Sequence, residues 1–154
     1  MLRLNADGTT PDDQPSGSPV YASDLRSPRS LQWDAAAGAL WVADPGQASA
    51  ARLKPTRRGM MATTPFRMRT PGWPSAVAIY RGDLISQMRG NLLAVADDAS
   101  YLLRVRLSQP AENAVTGSEP LSIEGTSGFR TVKVGPDGAI YLLTADSVLR
   151  LSPR

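Results

Sequence analysis

Aspartate and arginine are the residue types left to do chemistry in this 154-residue chain, because it contains no histidine and no cysteine. Without histidine it lacks the commonest general base and the commonest transition-metal ligand. A Ser-His-Asp hydrolase and a His-bound catalytic zinc are excluded. Without cysteine there are no disulfides and no thiolate metal sites, and the redox compartment stays open. Asp12-Asp13 is a paired carboxylate. In a Pro/Ser-rich loop such a pair reads as a solvated turn former. The net charge is +3, but no run of five or more basic residues occurs. Even the densest stretch, Arg52-Leu53-Lys54-Pro55-Thr56-Arg57-Arg58, falls at a strand end and turn. This predicts a mildly basic surface and no nucleic-acid partner.

These residues must be positioned by short strands. Leu2-Arg3-Leu4, Ala51-Arg52-Leu53, Leu103-Arg104-Val105 and Leu149-Arg150-Leu151 recur at roughly 50-residue intervals, the sequence form of a β-propeller. A second element keeps the same beat: Gly38-Ala39-Leu40-Trp41, Gly90-Asn91-Leu92-Leu93 and Gly138-Ala139-Ile140-Tyr141. Thirteen Gly and thirteen Pro signal many turns, and alternation between turn signals dominates over helical periodicity. The expected fold is all-β, with three four-stranded blades per chain. Residues 1–29 supply strands that complete a blade, with Met1–Asn5 and Pro19–Asp24 as the strands. Residues 30–73 and 74–126 are blades, and 127–154 is an incomplete one. Arg81–Arg89 replaces a tight turn and has room for a short helical turn. Trp33, Trp41, Leu93 and Tyr141 are expected to pack between blades. The recurring Arg3, Arg52, Arg104 and Arg150 are expected to serve the repeat structurally.

A three-blade arc exposes apolar faces and open edges. Two copies arranged head to tail would close a six-bladed ring under two-fold symmetry, so a homodimer is expected. No stretch approaches the roughly 18–20 apolar residues of a membrane span. The N-terminus lacks the apolar core of a signal peptide. The chain reads as soluble, with no membrane partner.

Leu2-Arg3-Leu4-Asn5-Ala6-Asp7-Gly8-Thr9, Tyr21-Ala22-Ser23-Asp24-Leu25-Arg26-Ser27-Pro28-Arg29-Ser30-Leu31-Gln32-Trp33-Asp34 and Leu40-Trp41-Val42-Ala43-Asp44-Pro45-Gly46 occur in that order. Pro74-Ser75, Arg89-Gly90-Asn91-Leu92-Leu93 and Val132-Lys133-Val134-Gly135-Pro136-Asp137-Gly138 follow. Together they resemble the C-terminal half of the soluble quinoprotein glucose/sorbosone dehydrogenases. The resemblance covers nearly the whole chain. It implies a six-bladed propeller of about twice this length, a periplasmic location, and oxidation of aldose sugars with pyrroloquinoline quinone (PQQ) and calcium. By the same resemblance, Arg26 and Arg130 are the cofactor-binding candidates, and Gly46 and Gln47 the calcium-binding ones. The chain departs from the family pattern where Ser27 replaces an asparagine, Gln47 a proline and Gly128 an arginine. A family lysine has no match near Ala96-Asp97-Asp98.

The family's catalytic histidine belongs to the other half, and a homodimer of this chain cannot supply one. Asp44, Asp97 and Asp98 are the carboxylates left to take a proton, and nothing in the sequence argues for a raised pKa. No catalytic residue is therefore assigned. The expected function is that of a catalytically degenerate half-propeller that binds a sugar- or quinone-like small molecule, or acts as a scaffold. The alternative is an active PQQ- and calcium-dependent aldose dehydrogenase working as a dimer.

Overall fold

The computed structural model describes residues 1–14, 17–23, 25–44, 50–55, 61–66, 74–97, 99–112 and 114–153, with 50–55 and 61–66 known by their strand pairing. Three antiparallel sheets follow one another along the chain. The first holds β1 (Ser30–Asp34), β2 (Ala39–Ala43), β3 (Ala50–Pro55) and β4 (Met61–Phe66) in that order. The second holds β5 (Pro74–Ile79), β6 (Leu92–Ala96), β7 (Tyr101–Leu107) and β8 (Val115–Ser122). The third holds β9 (Thr131–Val134), β10 (Ile140–Leu143) and β11 (Val148–Leu151). This third sheet, in the segment read as an incomplete blade, has three strands among the described residues. The Arg81–Arg89 insertion carries a single 3-10 turn at Ser86–Met88. No helix among the described residues is long and apolar enough to cross a membrane.

Sequence pattern explains the layering. β2 (ALWVA) and β6 (LLAVA) are apolar throughout and buried at every position. Such a short unbroken apolar run suits a strand covered on both faces. β8 alternates exposed and half-buried residues, as befits an outer strand. Gly38 and Gly138, at the ends of the β1–β2 and β9–β10 turns, have φ of +56° and +76°. These are backbone angles that glycine adopts without steric cost.

Two apolar layers join the sheets. Trp41 and Ala43 of the first sheet pack with Val77, Ile79, Leu92 and Val105 of the second. On the other face of the second sheet, Tyr80, Leu93 and Leu102 pack with Phe129, Val132 and Leu142. A smaller cluster joins Ala22 to Leu40 and Val42, with Met1, Tyr21 and Leu25 against it. The N-terminal segment thus covers part of the outer face of the first sheet.

The expected strands at Met1–Asn5 and Pro19–Asp24 are reduced to one bridge, Leu2 to Val20. The Arg3 N–H donates to Pro19 O at 3.0 Å and the Tyr21 N–H to Met1 O at 2.9 Å. The physical reason is one-sided support. Leu2, Leu4 and Val20 face solvent, so little packing reinforces the ladder beyond that bridge. Trp33 also differs from expectation, being 55% exposed, whereas Trp41 and Leu93 are fully buried and Tyr141 half-buried. Three of the recurring arginines form ion pairs: Arg3 with Asp13, Arg104 with Glu119 and Arg150 with Asp137. The Arg52 side chain lies outside the described residues.

Candidate functional site

Antiparallel pairing puts the segments that enter β1, β5 and β9 on the same edge of the sheets as the segments that leave β2, β6 and β10. This edge is termed the rim. At the first sheet, the Asp44 carboxylate ends β2 and is 2% exposed. It accepts the backbone N–H of Arg26 at 3.0 Å and of Ser27 at 2.8 Å. This fixes the loop that enters β1 and directs the Arg26 side chain outward, where it is exposed. Between the first and second sheets, Arg29 forms an ion pair with Asp97. At the third sheet, the Arg130 N–H donates to Leu143 O at 2.8 Å, and its side chain is exposed.

Between the second and third sheets lies a cleft of about 670 Å³, lined by Asp97, Phe129, Arg130, Thr144 and Asp146 among others. Asp146 accepts the hydroxyls of Thr144 at 2.9 Å and Ser147 at 3.0 Å. Those bonds, Thr144 foremost, hold its carboxyl below the ordinary range.

Of the residues singled out in the sequence, Arg26 and Arg130 both lie on this rim, at the entrances to the first and third sheets. They stand on either side of the second sheet, whose β5 touches both β1 and β9. Among the described residues neither guanidinium has a carboxylate partner. Gly46, Gln47 and Asp98 lie outside the described residues. Sequence reasoning missed the pairing of Arg29 with Asp97. These residues are far apart in the chain, and only the stacking of the sheets brings them together.

The opposite edge carries a denser polar cluster that sequence reasoning also missed. Arg81 follows β5 and reaches Asp34, at the end of β1, through two bonds of 3.1 and 2.6 Å. It also meets both oxygens of Glu112 at 2.7 Å. The Trp41 indole N–H donates to Asp34 at 3.3 Å. The Asp34 side chain has no solvent exposure and that of Glu112 only 8%. Burial works against the charged form of Asp34, but the Arg81 bonds and charge outweigh it and hold its pKa down. Glu112 is lowered chiefly by the Arg81 hydrogen bonds, against its own burial. One guanidinium here bridges two carboxylates that come from the first and second sheets, which marks the cluster as a structural clamp between them. Nearby, Tyr80 Oη donates to Gly138 O at 2.6 Å and accepts the Ile85 N–H at 2.9 Å, tying the second sheet to the third.

The described residues do not fit an oxidising PQQ–calcium centre. A general base needs an available carboxylate whose pKa is raised toward the working pH. On the rim, Asp44 is engaged by loop amides, Asp97 by Arg29, and Asp146 is shifted downward. No group of three Asp or Glu among the described residues is arranged to hold a metal ion. What the rim does offer is two exposed guanidiniums without carboxylate partners, a donor set suited to the carboxylates of an anion.

A family model for Glucose / Sorbosone dehydrogenase matches residues 51–151. An uncharacterized protein of Synechocystis sp. is 24% identical, with coverage of 94% of this chain and 42% of that protein. Among solved structures, a glucose dehydrogenase superposes with a TM-score of 0.75 at 25% identity, covering 99% of this chain and 50% of that one. The soluble aldose sugar dehydrogenase of Escherichia coli, in its apo form, gives a TM-score of 0.64 at 22% identity, covering 99% and 54%. The chain thus spans about half the length of the proteins it matches.

Proposed function

Because this chain belongs to the glucose/sorbosone dehydrogenase family, whose model matches residues 51–151, we propose that it is a half-propeller that binds a sugar- or quinone-like small molecule at its rim without oxidising it. In this reading the three sheets are blades, spanning 30–73, 74–126 and 127–154. Residues 1–29 complete a blade, and two copies close a six-bladed ring. Closure brings four guanidiniums, Arg26 and Arg130 from each copy, to one rim. The observation that carries the reading is the rim itself. Arg26 and Arg130 are exposed and, among the described residues, without carboxylate partners, while Asp44, Asp97 and Asp146 on that edge are each engaged. An anion can be held there, and among the described residues no side chain is poised to take a proton from a sugar hydroxyl.

The test pairs binding with turnover. PQQ is titrated into the purified protein, with and without calcium, and followed by its absorbance. Dye reduction is then measured with glucose. The expected outcome is saturable binding with no sugar-dependent dye reduction. Arg130→Ala is expected to weaken binding at least about tenfold, the equivalent of roughly 1.4 kcal/mol. Sugar-dependent reduction would instead establish the active dehydrogenase. Binding indifferent to Arg130 would move the site elsewhere.

A further inference from the structure

The two internal sheet-to-sheet contacts obey one rule, and its third application lies at the open ends of the arc. The recurring Gly38, Gly90 and Gly138 are each followed three residues later by Trp41, Leu93 and Tyr141. These pair across the sheet with Gln32, Ala78 and Lys133. One step along the inner strand come Trp33, Ile79 and Val134, paired with Leu40, Leu92 and Ile140. The three sets are therefore structurally equivalent.

In the first contact, Ile79 of the second sheet meets Gln32 and Trp41 of the first. Its N–H donates to Gln32 Oε1 at 3.0 Å, and its side chain shares a cluster with Trp41. In the second contact, Val134 of the third sheet packs in the cluster that holds Ala78 and Leu93 of the second. The same step brings Trp33 against Lys133 and Tyr141. Within one chain these lie at opposite ends of the arc.

Both ends are bare where the rule needs them bare. Trp33 is 55% and Leu31 56% exposed, on the same face as Leu40 and Val42, which the N-terminal segment already covers. At the other end Lys133 is exposed and Tyr141 half-buried, with Leu143 36% exposed on the same face.

We infer that the Trp33 face of one copy docks on the Lys133–Tyr141 face of a second, with Trp33 stacked between the Lys133 ammonium and the Tyr141 ring. The occupant is a second copy because the two bare faces are the two sides of one repeating contact. The pairing is chemically matched: an indole face attracts an ammonium group and accepts an aromatic neighbour. The contact is heterologous, and with two copies it occurs twice, which closes the ring. This inference rests on the ring proposed above and specifies which surfaces form it.

The native chain has no cysteine, so paired thiols can be introduced without background. Chains carrying Trp33→Cys and chains carrying Lys133→Cys are mixed and treated with a short bismaleimide. Covalent dimers are then read on a denaturing gel, and the mass of the native particle is measured in parallel. The expected result is a crosslinked band of two chain masses in the mixture and none in either variant alone. A native dimer that crosslinks no better in the mixture than in the separate variants would keep the ring and overturn this pairing of faces. Particles of one chain mass would overturn both, leaving these faces to a different polypeptide.

Discussion

Replacing Arg81 with alanine is expected to cost about 3–5 kcal/mol of folding stability, the range for breaking a buried ion pair by removing one partner. Among the described residues Arg81 is the one guanidinium bonded to both Asp34 and Glu112, and the Asp34 side chain has no exposure to water. Its loss takes from two buried carboxylates the guanidinium that meets both. Urea unfolding should show a midpoint shifted down by about 1 M or more, given m-values of roughly 1–3 kcal/mol per M. Acidity supplies a second signature. Both carboxyls lie below their ordinary values in the folded chain. The stabilisation they contribute is complete above the unfolded-state pKa values, near about 4, and is lost as pH falls through the lower folded-state values. In Arg81→Ala the buried carboxylates gain from protonation. The gap between wild type and variant should therefore narrow from pH 7 to pH 3. A gap that stays constant over that range would mean the clamp is not electrostatic.

Trp41→Ala is expected to be of similar size, about 3–5 kcal/mol for truncating a large aromatic in a packed core. The side chain is fully buried and fills the layer between the first and second sheets. Its indole N–H also serves Asp34, so truncation removes packing and one donor of the clamp together. The two substitutions touch the same group, so their effects should be less than additive in a double-mutant cycle. The same truncation at Trp33 meets a different environment, an exposed face. Its expected effect is on self-association. Thermal unfolding of Trp41→Ala, compared with the concentration dependence of Trp33→Ala, separates the two roles.

The repeat was legible in the sequence because each sheet writes the same local pattern: a glycine, a short apolar run and an arginine on the third strand. Runs such as Leu92–Ala96 carry their burial in their composition. The N-terminal pairing was less legible because alternation at Leu2–Leu4 and Val20 says that a strand is possible, not that a neighbouring sheet will support it. Trp33 was read as packing because its size argues for burial, yet burial depends on which sheet lies against it. The Arg81 clamp was invisible because Asp34, Arg81 and Glu112 sit at strand ends and in loops, where charges normally read as solvated. Only the packing of successive sheets converts them into an interior cluster. On the rim, the resemblance pointed to Arg26 and Arg130, and both are exposed there. The Arg29–Asp97 pair joins two sheets and left no local mark in the sequence.

The proposed six-bladed ring requires this chain to close by self-association. Sedimentation equilibrium of the purified 154-residue chain at low micromolar concentration tests it most directly. A single species of about 33 kDa is expected, twice the 16.4 kDa chain. A monodisperse species of 16.4 kDa would contradict it.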